Sequence, residues 1–280
     1  MTYSINDRFS LSGGVRFDKD DKELSIAAEN LNLDKSYSEI SPKISAEYKI
    51  NPNVMAYGTV AKGYKSGGFY SLAAEGYPRD YDKETLWNYE IGVKSSLLNN
   101  TLLLNISAYY MDISDMQVLT GVDPFNGYIS NAASASSKGF ELEAQYKLTP
   151  ELRLFLSAGY NISKFDDFSD ANGDYENNYN PYAPIYNYSV GGQYRSHMGF
   201  FARVNFTGYG KMYLDKANEY EKDAYFLLHG KIGYETEHFD IYALYVPSRQ
   251  EVATTILPVA YCITLISVAY RYLPVCPPRK

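Results

Sequence analysis

The chain has 280 residues, 45% of them hydrophobic and 16% aromatic, with 30 tyrosines against a single tryptophan and a formal net charge of -7. Its length suits one all-β domain, since barrels and sandwiches stay single where other folds divide, and its lysines and arginines are scattered singly, which excludes the basic footprint of a nucleic-acid binder. Cys262 and Cys276 both fall near the C-terminus, leaving the body without a disulfide framework or zinc spacing.

In chain order, Met1 to Asn6 carries neither the charged nor the apolar region of an export signal. A stub strand at Thr2 to Ser4 enters a turn at Asn6-Asp7, so the chain is expected to begin inside a hairpin as a cut through a larger parent. Period-two alternation then recurs. Trp87, Tyr89, Ile91 and Val93 oppose Asn88, Glu90, Gly92 and Lys94. Phe140, Leu142, Ala144 and Tyr146 oppose Glu141, Glu143, Gln145 and Lys147. Leu152, Leu154, Leu156, Ala158, Tyr160 and Ile162 share one face, and Tyr186, Tyr188, Val190 and Tyr194 another. On a helix these spacings would scatter charge through any buried stripe, so the runs are strands.

Short turns are predicted at Asn6-Asp7, Asn51-Pro52-Asn53, Leu98-Asn99-Asn100, Thr149-Pro150-Glu151, Ser196-His197-Met198-Gly199 and Thr236-Glu237-His238. Two strands and a longer polar loop lie between successive turns, for example Lys65 to Lys83, Asp166 to Asn180 and Lys211 to Lys222. This alternation of short and long connections is the asymmetry of an outer-membrane barrel. About twelve full strands plus the stub are expected. Lipid is then predicted on the Leu/Val/Tyr side, and tyrosines at strand ends, Tyr109-Tyr110, Tyr160, Tyr186, Tyr188 and Tyr194, form interfacial girdles. The one long apolar stretch, Ile256 to Tyr270, is too short and broken for a spanning helix.

Three blocks carry a family resemblance. Tyr57-Gly58-Thr59-Val60-Ala61-Lys62-Gly63-Tyr64-Lys65-Ser66-Gly67-Gly68-Phe69 resembles a strand and loop opening with Lys-Gly-aromatic followed by Ser-Gly-Gly-Phe. Glu84-Thr85-Leu86-Trp87-Asn88-Tyr89-Glu90-Ile91-Gly92-Val93-Lys94, with Asp112 and Met116-Gln117-Val118 beyond it, resembles a Tyr-Glu-x-Gly-x-Lys strand and its Asp…Gln-Val sequel. Asn131-Ala132-Ala133-Ser134-Ala135-Ser136-Ser137-Lys138-Gly139-Phe140-Glu141-Leu142-Glu143 resembles an Asn-Ala…Lys-Gly-x-Glu-x-Glu strand. In this order the blocks resemble the barrel of TonB-dependent receptors, over roughly residues 9 to 243.

The resemblance implies an all-β, antiparallel, up-and-down transmembrane barrel, here about 12–14 strands of a roughly 22-stranded whole. Residues 1–272 would be the C-terminal part of that barrel and 273–280 a disordered tail. It implies an outer-membrane receptor that takes up a scarce nutrient, a ferric siderophore above others, and that meets TonB only through a plug domain missing from this chain. Outer-membrane lipid is the other partner; no cofactor, nucleic acid or enzymatic role is implied. A self-sufficient passive pore, or an outer-membrane barrel enzyme or adhesin, are the alternatives. Candidate ligand contacts are aromatic and basic residues of the outer loops, Tyr64, Lys65, Phe69, Tyr70, Arg79, Tyr81, Phe125 and Tyr128, since rings and cations suit a bulky anionic chelate. After Phe239-Asp240-Ile241-Tyr242-Ala243 the chain departs from the family pattern. Ile266 to Tyr272 is a candidate last strand that Leu273 to Lys280 overruns, and an altered reading frame or divergent tail after about residue 244 is expected. Half a barrel is expected either to close smaller or to stay an open, curved sheet.

Other constellations are weaker. His197, His229 and His238, two of them in predicted short turns, read as solvated turn residues rather than metal ligands. Asp170 to Glu176 reads as an acidic, solvated outer loop, because its glycine arrives too early for a calcium loop. Glu141 and Glu143 share a face with Lys147, as on a polar lumen wall.

Overall fold

The computed structural model describes residues 1–73, 76–121, 127–245 and 267–270. A 13-stranded antiparallel sheet follows sequence order throughout. Its strands are β1 (Thr2–Ser4), β2 (Phe9–Ile26), β3 (Leu31–Asn51), β4 (Val54–Lys65), β5 (Glu84–Leu97), β6 (Leu102–Gly121) and β7 (Gly127–Lys147). They continue as β8 (Leu152–Asp167), β9 (Tyr186–Arg195), β10 (Phe200–Tyr209), β11 (Tyr225–Glu235), β12 (Phe239–Tyr245) and β13 (Ser267–Tyr270). Each strand pairs with its sequence neighbours, and among the described residues β1 and β13 are the two edges, not partners of each other. Of the C-terminal expectations, Ser267–Tyr270 does form a strand, paired with Phe239 to Tyr242. The rest of that stretch, including the tail from Leu273, lies outside the described residues. No helix among the described residues is long and apolar enough to cross a membrane.

The short turns fall where the sequence places them, and their chemistry is local. Leu98, Asn99 and Asn100 carry φ of 51°, 54° and 65°, the left-handed region in which asparagine is favoured. Thr149 Oγ1 accepts from the Glu151 and Leu152 amides, and Thr236 Oγ1 from those of His238 and Phe239. At the opposite end the connections are of two kinds. β4–β5, β8–β9 and β10–β11 are joined by true loops. By contrast β2 and β3 run 18 and 21 residues and turn through one 3-10 turn, Ala27–Glu29, closed by Asn30 at φ 49°. β6 and β7 run 20 and 21 residues. About 9–11 tilted residues cross the hydrocarbon, so these two hairpins project well beyond it.

The two faces differ as the alternation predicts. Ile44 is 63% exposed and Ile91 67%, while Ser45 and Ser137 on the opposite face are each 8% exposed. Cross-strand register sets Val60, Tyr89 and Tyr110 side by side, and likewise Phe140, Tyr160 and Tyr186, all on the apolar face. Toward the short turns a second aromatic row, Tyr194, Phe200 and Tyr234, lies on that face. Two aromatic rows bounding exposed aliphatics are the girdles and lipid band of a membrane barrel. Tyr109 is a correction. Alternation turns it to the other face from Tyr110, where its hydroxyl donates to Asn161 Oδ1 at 3.0 Å.

The polar face satisfies itself laterally. Tyr57 donates to Glu90 at 2.6 Å, Ser137 to Asn161 at 2.7 Å and Ser189 to Asn205 at 2.9 Å, while the Ser45 and Thr59 hydroxyls pair at 2.8 Å. Gly92 leaves room for this: a Cβ there would stand 2.7 Å from the outer end of the Tyr57 ring. A soluble barrel would bury the aliphatic face. Here the compact apolar cluster is instead Phe165, Phe168, Tyr175, Ala133 and Ala135, gathered at the long-loop end, where folded loops rather than lipid exclude water.

Candidate functional site

The β4–β5 connection folds onto the polar side of β3. The Tyr37 hydroxyl donates to the Tyr81 carbonyl at 2.9 Å, and Tyr37 is only 5% exposed. Gly67 makes this approach feasible, since a Cβ there would meet the Tyr37 ring at 2.3 Å. Within the loop Gly68–Phe69 pairs with Asp80–Tyr81, and the Tyr70 amide donates to the Arg79 carbonyl at 2.7 Å. Lys35 binds both Asp80 and Asp82 at 2.8 Å. Pairing of β3 with β4 stops at Lys43↔Ala61, beside Pro42. Above that point Glu39, its side chain 9% exposed, holds Lys62 at 2.7 Å and Lys83 at 2.6 Å, closing the seam with charge instead of a ladder.

Two amide side chains from the next hairpin grip the same loop. Asn131 on β7 accepts from the Asp82 amide at 2.7 Å and donates to the carbonyls of Asp82 at 2.7 Å and Asp115 at 2.9 Å. Gln117 on β6 donates to the carbonyls of Ser66 at 2.9 Å and Asp82 at 3.0 Å, and its own amide donates to Glu84 at 2.9 Å. Bulges on either side of Met116, with Asp115 at φ 56°, break the β6–β7 register at this level, which is how a strand re-aims a side chain.

The sequence-predicted contacts gather only in part. Phe69, Tyr70, Arg79 and Tyr81 share the small ladder. Tyr128 joins them through Tyr77, whose ring stacks on it with centroids 4.6 Å apart. Arg79 reaches Glu29 at 2.7 Å on the β2–β3 hairpin. Tyr64 and Lys65 stand at the loop root, where Tyr64 donates to Asp20 at 3.1 Å and Lys65 pairs with Glu84 at 3.7 Å. Phe125 lies outside the described residues. Sequence reasoning did not single out Tyr77, Glu39, Gln117 or Asn131. Gln117 and Asn131 were nevertheless visible as members of the second and third motif blocks, and Tyr77 only as one aromatic among many.

The second loop pair is built differently. The β8–β9 and β10–β11 connections join edge to edge, with Asn178 donating to the Lys216 carbonyl at 3.0 Å, and Asn218 exchanging bonds with the Tyr179 backbone at 2.7 and 2.9 Å. Lys216 crosses to pair with Asp170 and stands 5.6 Å and 5.1 Å from the Phe168 and Tyr175 ring centres. The expectation of a solvated acidic loop is therefore corrected at Asp170. Its side chain is 6% exposed because the neighbouring loop supplies the cation Lys216 while Tyr175 of its own loop donates to it at 3.1 Å. Burial pushes the Asp170 carboxyl up, but bonds from Lys216, the Asn172 amide and Tyr175 outweigh it and hold it below the ordinary value. Tyr175, buried and facing that carboxylate, is pushed up to about 12. In the first loop Lys35 holds Asp80 low, and Asp80 with Asp82 raises Lys35. His197 bonds Glu151 at 2.7 Å across two short turns, and no group of three or more His, Cys, Asp or Glu among the described residues could hold a metal ion.

An up-and-down sheet with a lipid band outside, a hydrogen-bonded polar wall inside and folded loops at one end is the wall of an outer-membrane transport barrel. The chain belongs to the TonB-dependent receptors: the family model described as TonB dependent receptor-like, beta-barrel, matches residues 1–246. Members are bacterial outer-membrane transporters rather than enzymes. Among curated proteins, the pesticin receptor of Yersinia pestis is 28% identical over 252 residues, 86% of this chain and 37% of that receptor. The metal-pseudopaline receptor CntO of Pseudomonas aeruginosa is 30% identical over 154 residues, 52% of this chain and 21% of that receptor. Among solved structures, the ferric yersiniabactin uptake receptor FyuA from Yersinia pestis superposes with a TM-score of 0.68 at 26% identity, covering 88% of this chain and 38% of that one. The chain thus spans little more than a third of the length of the first of these receptors. The family match ends at residue 246, close to where the sequence departs from the family motifs.

Proposed function

We propose that this chain forms the C-terminal part of the barrel wall and outer loops of a receptor that captures a scarce nutrient, with a ferric siderophore as the favoured ligand. The observation that carries the reading is the outer platform on which Phe69, Tyr70, Arg79 and Tyr81 share one ladder and Tyr77 stacks on Tyr128. Aromatic faces and a guanidinium suit a bulky anionic chelate. Similarity to the metal-pseudopaline receptor and to a ferric yersiniabactin uptake receptor supports a metal chelate as the ligand class. Lys65 and Tyr64 at the loop root, and Phe125 beyond it, complete the proposed set. Energised import would need a plug and its contact with TonB, which the family resemblance assigns to other parts of such receptors. In the same reading residues 1–272 form the barrel portion and 273–280 a tail.

The test is quenching of intrinsic tyrosine fluorescence in the detergent-solubilised chain, titrated with ferric yersiniabactin, a ferric ferrioxamine and a metal-pseudopaline chelate. Saturable binding of one of them, weakened about tenfold by Arg79→Ala as expected for loss of a charge-assisted contact, supports the reading. No saturable binding to any of the three, together with steady ion conductance in a planar bilayer, would replace it with a passive pore.

A further inference from the structure

The molecule uses two amide side chains to hold one loop, and their hydrogen bonds to it go to its backbone. Asn131 uses both ends of its amide, accepting from one backbone N–H of the β4–β5 loop and donating to its carbonyls, and it also ties down Asp115 of the β6 bulge. Gln117 bridges the beginning and the end of the loop, since its single nitrogen reaches both Ser66 and Asp82. A loop closed on itself by a two-residue ladder has too few internal bonds to fix its orientation against the wall. Cross-links to its first and last residues supply that orientation, because backbone groups at both ends become fixed to one rigid hairpin.

We propose that Asn131 and Gln117 are positioning residues that clamp the β4–β5 loop to the β6–β7 hairpin and thereby set the spacing of Tyr77 on Tyr128 and the placement of Arg79. The proposal rests on the ligand reading above only for its consequence in binding. The clamp itself stands on geometry. It also gives a physical meaning to the motif blocks: Ser66-Gly67-Gly68, Gln117 and Asn131 lie far apart in sequence and meet at one joint. Gly67 permits the loop's close approach to Tyr37 on β3, and the two amides hold it to the β6–β7 hairpin.

The experiment compares the full chain with Asn131→Asp and Gln117→Glu, near-isosteric changes that keep the acceptor and lose the donors. Hydrogen–deuterium exchange is read at the amides of Gly67, Gly68 and residues 80–83, and separately along β8 and β9, with heat-modifiability on a gel as the check on the wall. The expected result is at least about tenfold faster exchange in the loop, the equivalent of one lost hydrogen bond of ordinary strength, with β8 and β9 unchanged. Loop exchange that does not change in either variant overturns the clamp. So does an equal rise in the loop and in β8 and β9, which would make these residues general supports of the sheet. The ligand arm uses whichever chelate Arg79→Ala weakens: Asn131→Asp is expected to weaken it by a similar factor, and a loop that loosens without loss of affinity overturns the positioning role. If no chelate binds at all, the ligand reading fails while the exchange result still decides the clamp.

Discussion

The two outer loop assemblies stand side by side and are held by opposite means. The β4–β5 loop is tied chiefly through its backbone and its charges: Asn131, Gln117, Tyr37 and Lys35 each bond to it, and the apolar surface enclosed there among the described residues is that of the Tyr37 ring and Ala73. The β8–β9 and β10–β11 loops enclose a miniature core, with Phe165 and Phe168 at 1% and 0% exposure and Lys216 capping it against Asp170. One strand serves both. On β7, Asn131 grips the first loop, and two and four residues later Ala133 and Ala135 offer the small surfaces on which Phe165 and Phe168 pack. The difference is between specificity of position and bulk stability. Hydrogen bonds are directional and each adds only about 1 kcal/mol net, whereas a buried ring contributes several. The first loop is therefore fixed in place but locally cheap to open, and the second is the sturdier lid.

The largest expected effect breaks the sturdier side. Phe168→Ala should destabilise the second assembly by about 3 kcal/mol or more. This is measurable as faster amide exchange over Tyr175 to Asn180 and Lys216 to Tyr220, with the first loop unaltered. Glu39→Gln is expected to cost about 1.5–3 kcal/mol locally, because Lys62 and Lys83 lose a shared partner that is itself largely buried. Its signature is loosening of the β3–β4 seam and the first loop alone, and a response spread into the second assembly would refute their independence.

Acid sharpens the contrast further. Asp170 and Asp80 both have folded-state values held below the ordinary carboxylate range, so each stabilises the fold above about pH 4 and loses that contribution as pH falls through its lowered value. The Asp80 side chain is 45% exposed and so screened, whereas that of Asp170 is 6% exposed. As pH falls below about 4, the loss of stabilisation at the Asp170 contact should therefore be larger than at the Asp80 contact, as followed by exchange at fixed ionic strength. The smallest effect belongs to the platform. Tyr77→Ala, which removes one stacked ring, should cost about 0.5–1.5 kcal/mol of loop stability while leaving the clamp bonds of Asn131 in place. Equal loosening at Asp82 would mean that stacking, rather than the amides, orders the loop.

Much of this was legible in the sequence because it follows from local chemistry. Turns announced themselves through Asn99, Asn100, Thr149 and Thr236, whose side chains or left-handed backbones close them without help from elsewhere. The lipid face followed from alternation, with Tyr160, Tyr186 and Tyr194 turned outward as expected and Tyr109 misassigned only because adjacent tyrosines were read as one group. Loop length was less legible. The outer halves of β2 and β3 are largely polar, yet they pair residue by residue up to a three-residue turn, since a ladder can continue in water once a hairpin is started. Asp170 was misread because its partner Lys216 is 46 residues away.

Fold class, strand order, the direction of the two faces and the family itself were determined by the sequence alone, because period-two patterning and turn chemistry act over a few residues. Which side chains hold the outer loops was decided only by the tertiary structure. Gln117 and Asn131 look like ordinary polar residues until a 13-stranded sheet brings them beside Ser66 and Asp82. Their role comes from backbone groups of the β4–β5 loop 35 to 51 residues distant, and no local propensity encodes such a meeting.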